Sequence, residues 1–205
     1  MVPCLAALGF QPGQTEGEAL AGLDQLLGPD GEEQRHSLLA ALDLLNGQFN
    51  AHGVEMGQRY VSDAVVSNGS SFPPCQRDPD LYYHPTTHPG APLPHAWLQR
   101  GTEDISTLDL CRYDRFTLIT GIAGSAWVQA AAQASRETGV SIEPVAVGLG
   151  QVNNDVLGAW SRRREIADDG CLLVQPDRII ALRCPRGVPD PAGALREAVT
   201  KILGR

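Results

Sequence analysis

The stretch that most constrains this chain runs from Tyr82 to Leu98, YYHPTTHPGAPLPHAWL, with the block behind it as far as Leu110. Pro85, Pro89, Pro92 and Pro94, with Pro79 just ahead, fix φ and withhold backbone donors, so the segment is neither a helix nor a central strand. It must be an extended arm. The arm carries Tyr82, Tyr83, Trp97 and three of the five histidines, His84, His88 and His95, side chains that on average hide much of their surface. Such an arm is pinned against a folded body, and the body at hand is the regular α/β pattern beginning at Arg115.

That pattern is compact. RFTLITG (115–121) reads as a buried strand; a helix follows, with Ser125 as its cap, Trp127, Val128, Ala131 and Ala134 at helical spacing and Gly139 at its end. SIEPVAVG (141–148) is again a strand, completing a right-handed βαβ unit. Residues 154–163 read as one or two helical turns. CLLVQP and RIIALRC (171–184) are two strands joined antiparallel through Pro176-Asp177, and a last helix, 191–203, has proline in its first turn. The order βαβ then ββα predicts an α/β fold with a thioredoxin-like core.

Ahead of the arm, the spacing of Leu20, Leu23, Leu26 and Leu27 predicts a short helix or two. Asp30 and Glu33 have the spacing of a capping box, opening a helix over 31–50 with Leu38, Leu39, Leu42, Leu45 and Phe49 on one face. Tyr60, Val61, Val65 and Val66 are strand formers before an Asn-Gly turn, so a short strand or hairpin is expected there. Three parts result: a helical and short-strand segment (1–72), the proline-rich docking arm (73–114) and a thioredoxin-like domain (115–205).

Several function classes are disfavoured. A formal net charge of −8 argues against nucleic acid or an anionic membrane as the main partner, since phosphate binding needs a concentrated basic surface. The run Arg162-Arg163-Arg164 reads as a solvated face rather than an anion site. Five cysteines (4, 75, 111, 171 and 184) form no CxxC pair and no metal-ligand spacing, which fits a reducing cytoplasm. No signal peptide is evident and no run of about eighteen apolar residues occurs. The redox chemistry of a thioredoxin needs two thiols at the start of its first helix, where this chain has Gly121-Ile122-Ala123-Gly124-Ser125-Ala126.

Motifs that resemble chemistry have plainer readings. Gly148-Leu149-Gly150-Gln151-Val152-Asn153 begins like a dinucleotide fingerprint, but Asn153 stands at the third glycine position. His84 and His88 have HxxxH spacing, yet Pro85 and Pro89 deny the helix that would aim both at a metal. His52 reads as complementing a helix C-terminus. No residue is assigned a catalytic role, and no metal or cofactor site is expected in this chain.

The succession FNAHGVEMGQRYVSDAVV, YYHPTTHPGAPLPHAWL, DISTLDL, RFTLITG and DGCLLVQPDRIIALR resembles the C-terminal part of the FAD-dependent aromatic-ring hydroxylases, in the branch of the 2,4-dichlorophenol 6-monooxygenases and phenol 2-monooxygenases. The resemblance covers about residues 34–184. It implies a thioredoxin-like third domain without redox cysteines, attached in the family to FAD- and substrate-binding domains. The activity implied for the family is NAD(P)H- and oxygen-dependent ortho-hydroxylation of a phenol. The family's GxGxxG, DG and GD motifs have no counterpart in this sequence, so whether the chain alone is an enzyme is open.

Three readings follow from the sequence. The chain completes or dimerises a catalytic FAD half in trans; it is an independent binding or assembly module; or it is a small non-flavin enzyme, such as a cyclase or isomerase, acting on an aromatic metabolite. A homodimer or a separate FAD- and substrate-domain chain is the expected partner, with an aromatic small molecule as a further one. Tyr83, His84, His88, His95, Trp97 and Asp109 are the candidate arm and interface residues.

Overall fold

A computed structural model describes residues 2–205. Two apolar layers sandwich a four-stranded sheet, and the alternation of side chains along each strand explains both. The strands are β3 (Phe116–Thr120), β4 (Ile142–Ala146), β5 (Cys171–Val174) and β6 (Ile180–Cys184), in the order β4-β3-β5-β6. β3 and β4 are parallel and the other pairs antiparallel. Successive residues point to opposite faces: Leu118 and Leu173 enter the layer under α5 (Ser125–Thr138) and α6 (Pro191–Ile202), whereas Ile119 and Leu172 enter the opposite one. Fully burying a side chain such as Leu118 or Trp127 contributes about 2 kcal/mol. The thioredoxin-like expectation is met by this mixed sheet with its βαβ and ββα halves.

α5 buries Trp127, Ala130, Ala131 and Ala134 and stops at Gly139, whose φ of 71° is the left-handed C-terminal conformation. Its N-cap is Gly124 without a side-chain bond, so the expected Ser125 cap is displaced by one residue into the helix. α6 opens as expected: Pro191 lies in its first turn and Asp190 accepts the N–H of Gly193 at 2.9 Å. Residues 154–163 form hydrogen-bonded turns instead of a regular helix, because Asp155 bonds the N–H groups of Trp160 and Ser161 with its side chain.

On the second face no α-helix among the described residues covers the sheet. The arm does, together with a hairpin of β1 (Trp97–Arg100) and β2 (Glu103–Ser106), and the turns that carry Trp160 and Ile166. The hairpin falls inside the stretch expected to be arm alone. Its signal was the two residues Gly101-Thr102 between WLQR and EDIS, with Gly101 at φ +62°.

The N-terminal segment consists of α1 (Val2–Ala7), α2 (Glu16–Leu27), α3 (Glu32–Phe49) and α4 (His52–Met56). The capping box is at Thr15 and Glu18, ahead of α2, not at Asp30 and Glu33. Gly31 holds the N-cap of α3 because the α2 carbonyls crowd it: a Cβ there would lie 2.2 Å from the Gln25 oxygen. Arg35 closes α2 instead, donating to the carbonyls of Leu26 at 2.7 Å and Gly28 at 2.9 Å. Residues 57–66 form no strand; the Tyr60 N–H bonds the Gly90 carbonyl and that of Val66 the Ala181 carbonyl, one at a time. Among the described residues no helix is long and apolar enough to cross a membrane.

Candidate functional site

The arm is the organising feature, as its prolines require. From Thr86 to Ala96 most of it is buried, and it runs along β6: Gly90 donates to Ile180, Ile180 to Ala91, and Leu93 to Arg178, at 2.8 to 2.9 Å. Pro92, which lacks an N–H, bridges Ile179, so the prolines fall where an edge segment tolerates them. Gly90 has φ +91°, and a Cβ would sit 2.1 Å from the Tyr60 carbonyl; only glycine lets the two backbones touch.

Glu165 fastens the start of this run. Its carboxylate accepts from the Thr86 hydroxyl at 3.0 Å and the Thr87 N–H at 3.2 Å, and pairs with Arg183 of β6. Thr87 also donates to the Arg164 carbonyl at 2.7 Å. Glu165 has φ +47°, a backbone conformation that a glutamate adopts only where its surroundings over-determine it. Within the arginine run, Arg162 and Arg163 are exposed, as a solvated face requires, with Arg163 donating to the His95 carbonyl, while Arg164 is half-buried and pairs with Asp168.

The candidate residues divide into separate places. His88 is buried and its ring nitrogens lie 2.8 Å from the Pro89 carbonyl and 3.0 Å from the Ser70 carbonyl, with Phe72 stacked 4.0 Å away. A neutral imidazole donates to only one of these acceptors. His95 Nδ1 lies 2.7 Å from Ser106 Oγ, and its ring meets Trp97 edge-on at 4.8 Å. Trp97 is 61% exposed, so the arm is not anchored by its indole; the buried tryptophans are Trp127 and Trp160. Asp109 accepts the Ser106 N–H at 2.8 Å and caps a single 3-10 turn. Tyr83 and His84 line one cleft beside α4. Burial pushes the Tyr83 hydroxyl above its usual pKa, against a smaller opposing effect of Arg163. Among the described residues no three His, Cys, Asp or Glu side chains converge as a metal would need.

Sequence reasoning missed Glu165, Arg183 and Asn153. Asn153 is instructive because it stands where a dinucleotide fingerprint wants glycine. It is buried, accepts from Arg100 Nε at 3.0 Å and Nη2 at 2.8 Å, and donates to the Ala146 carbonyl at 3.2 Å. The loop 148–153 therefore clamps the β1–β2 hairpin to the sheet, and turns rather than a helix follow it. The other glycine turn, ahead of α5, is closed by its own chain: a Cβ on Gly124 would meet Thr120 Oγ1 at 1.8 Å and one on Gly121 the Asp168 carbonyl at 2.6 Å. The first of these turns, 148–153, is followed by turns and so lacks the helix N-terminus that a pyrophosphate site uses.

Two thiols meet in the register that pairs Cys171 of β5 with Cys184 of β6; both are free. Burial raises the Cys171 thiol well above its ordinary pKa.

Residues 86–205 match the family model described as aromatic-ring hydroxylase, C-terminal. The chain is 42% identical over 98% of its length to the 2,4-dichlorophenol 6-monooxygenase of Delftia acidovorans, covering 35% of that protein. It is 40% identical over 97% of its length to the phenol 2-monooxygenase of Pseudomonas sp. (strain EST1001), covering 33%. The crystal structure of the flavin-dependent monooxygenase PieE, in complex with FAD and substrate, superposes with a TM-score of 0.83 at 40% identity, over 99% of this chain and 35% of that one. The chain thus spans about a third of the length of the curated relatives it matches. With a closed thioredoxin-like core, an arm laid along its edge strand and matches of this extent, the chain belongs to the aromatic-ring hydroxylase family, residues 86–205 forming the family's C-terminal domain.

Proposed function

We propose that this chain is a non-redox assembly unit that completes an FAD- and substrate-binding portion of an aromatic-ring monooxygenase, docking through its N-terminal helices. The carrying observation is the contrast between the two parts of the molecule. Residues 86–205 close a core around the sheet, whereas α2 buries only Leu26 and α3 only Ala41 among the described residues. Leu20, Leu39, Leu42 and Leu44 are exposed, with Leu27 at 82% and Phe49 at 65%. Leu39, Leu42 and Phe49 share one face of α3 by helical spacing, and an exposed apolar face of this kind marks an interface. These helices lie ahead of the matched C-terminal domain, yet the relatives match this chain across 97–99% of its length, which supports a flavoprotein portion as the occupant. The thioredoxin-like part contributes shape and apolar surface, and the flavin chemistry belongs to the partner.

The test is sedimentation of the chain alone and mixed with a separately expressed FAD- and substrate-binding portion of a related phenol hydroxylase. The expected result is a one-to-one complex that takes on the flavin colour, weakened at least tenfold by Leu39→Glu with Phe49→Glu. A second species of twice the chain mass, with no mixed complex, would favour self-association of the same face. Absence of both would count against the proposal.

A further inference from the structure

Cys171 opens β5 and Cys184 closes β6, and the register of the two antiparallel strands sets them directly opposite each other. Opposed residues of an antiparallel pair have Cα atoms about 4.5–5.5 Å apart, inside the roughly 4.4–6.8 Å that a disulfide spans. Both side chains enter the layer under α5 and α6, so they stand on the same face of the sheet. The backbone around the pair is held from two sides. The Ala167 N–H donates to the Pro185 carbonyl at 2.8 Å, and Thr120 Oγ1 donates to the Gly170 carbonyl at 2.7 Å. A Cβ on Gly170 would lie 2.7 Å from the Cys184 oxygen, so glycine is what lets the two strand ends approach.

The two thiols differ in their surroundings. Cys171 is fully enclosed, and burial pushes its pKa well above the ordinary value. The S–H that it keeps donates to the Cys184 sulfur, and this bond holds the Cys184 thiol below its ordinary value against the opposing effect of its own partial burial. Cys184 is only half-buried, which admits a small reagent at the strand end. An accessible, thiolate-prone cysteine in contact with a second thiol is the arrangement on which reversible thiol oxidation depends. The remaining cysteines lie elsewhere: Cys4 in α1, Cys75 in the first part of the arm, and Cys111 in the opposite apolar layer.

We propose that Cys171 and Cys184 form a hydroperoxide-responsive dithiol, in which Cys184 is oxidised first, Cys171 resolves it, and the resulting disulfide staples β6 to β5. With hydrogen peroxide, the Cys184 thiolate attacks one oxygen and the O–O bond breaks. The departing hydroxide takes up the proton that Cys184 had shed and leaves as water, and Cys184 becomes a sulfenic acid. The Cys171 sulfur then attacks Cys184: the S–S bond forms, the S–O bond breaks, and the Cys171 proton leaves with the hydroxide as a second water. Two thiols lose two electrons and one peroxide gains them. β6 is the strand along which the arm runs, through the Ile180 bonds to Gly90 and Ala91, and it carries Arg183, the partner of Glu165. The staple therefore fixes the edge that holds the arm. It lies away from the start of α5, where a thioredoxin has its thiols and this chain has none, and it does not rest on the assembly role.

The test is hydrogen peroxide added to the intact, reduced chain, followed by alkylation, trypsin and mass spectrometry without reductant. Expected is a chain that has lost two hydrogens and keeps three of its five thiols, with the tryptic peptide 165–178 linked to the peptide 184–186 and the link reversed by dithiothreitol. The linked chain should unfold at a higher urea midpoint than the reduced one, because closing the 171–184 loop restricts the unfolded state. Cys171→Ser should arrest Cys184 as a sulfenic acid captured by dimedone, Cys184→Ser should leave Cys171 a free thiol, and Cys111→Ser should behave as wild type. The wild-type measurements require no variant to fold. A disulfide involving Cys4, Cys75 or Cys111, oxidation of the wild-type chain that stops at dimedone-reactive Cys184, five intact thiols after millimolar peroxide, or an unchanged urea midpoint in the linked chain would each overturn the proposal.

Discussion

The Glu165 carboxylate accepts the backbone N–H of Thr87 at 3.2 Å and so closes a loop of 78 residues between the arm and the turn before β5. Because the same carboxylate pairs with Arg183, a largely buried residue of β6, removing it leaves a charge and an amide without their partner. Glu165→Ala should lower unfolding free energy by about 2–3 kcal/mol, measured by urea denaturation. Coupling with Thr86→Val in a double-mutant cycle should exceed about 0.5 kcal/mol; strict additivity would show that the hydroxyl bond is not formed in solution.

Asp155 supplies a pH-dependent contribution of known sign. Burial acting alone would raise its pKa, but bonds from the Ser161 hydroxyl and from the N–H groups of Ser161 and Trp160 hold it below the ordinary value. A carboxylate depressed in the folded state stabilises above its unfolded pKa, about 3.9, and loses that contribution as pH falls through the folded value. At pH 7 Asp155→Asn should cost about 1–2 kcal/mol. The gap between wild type and variant should narrow below pH 4, and a gap that widens there would contradict the assignment.

The tryptophans should separate by burial. Trp97→Ala is expected to change stability by less than about 1 kcal/mol, while Trp160→Ala should cost about 3–5 kcal/mol. Trp160 Nε1 has no hydrogen-bond partner among the described residues, so Trp160→Phe should be much milder than the alanine change. Thermal denaturation of the three variants decides the order.

Thiol reactivity should follow the same layering. Burial pushes the Cys111 thiol up to about 11, despite opposing effects of Thr117 and Arg178, and Cys171 is enclosed. Neither should react with an aromatic disulfide reagent at pH 8 until the chain unfolds, since the thiolate is the nucleophile. Fast labelling of Cys111 in the native protein would contradict this.

What could be read from the sequence was what is local. The βαβ and ββα halves announce themselves because Trp127, Ala131 and Ala134 recur at helical spacing and β3, β5 and β6 are short apolar runs between turn residues. The arm was legible because proline forbids the alternatives. Tyr60–Val66 misled because strand-forming residues there find single backbone partners, Gly90 and Ala181, in place of a ladder. The Asp30–Glu33 spacing misled because close approach to α2 demanded glycine at the cap. Glu165 and Asn153 carry no local pattern; each acquires its role only from partners brought to it by the tertiary fold. Of the candidate residues, chemical type identified a polar cluster, but only folding could show that Tyr83 and His84 share a cleft while His88 and Asp109 hold the backbone and His95 meets the Ser106 hydroxyl.

The assembly claim is tested most directly by NADPH-dependent hydroxylation of a phenol by the FAD- and substrate-binding portion of a related hydroxylase, with and without this chain added in trans. Addition is expected to raise coupled turnover or prolong its half-life several-fold, saturating at one equivalent, and the Leu39→Glu, Phe49→Glu variant to fail to do so although its circular dichroism matches wild type. Turnover that is unchanged by one equivalent of the wild-type chain, or raised equally by the variant, would contradict it.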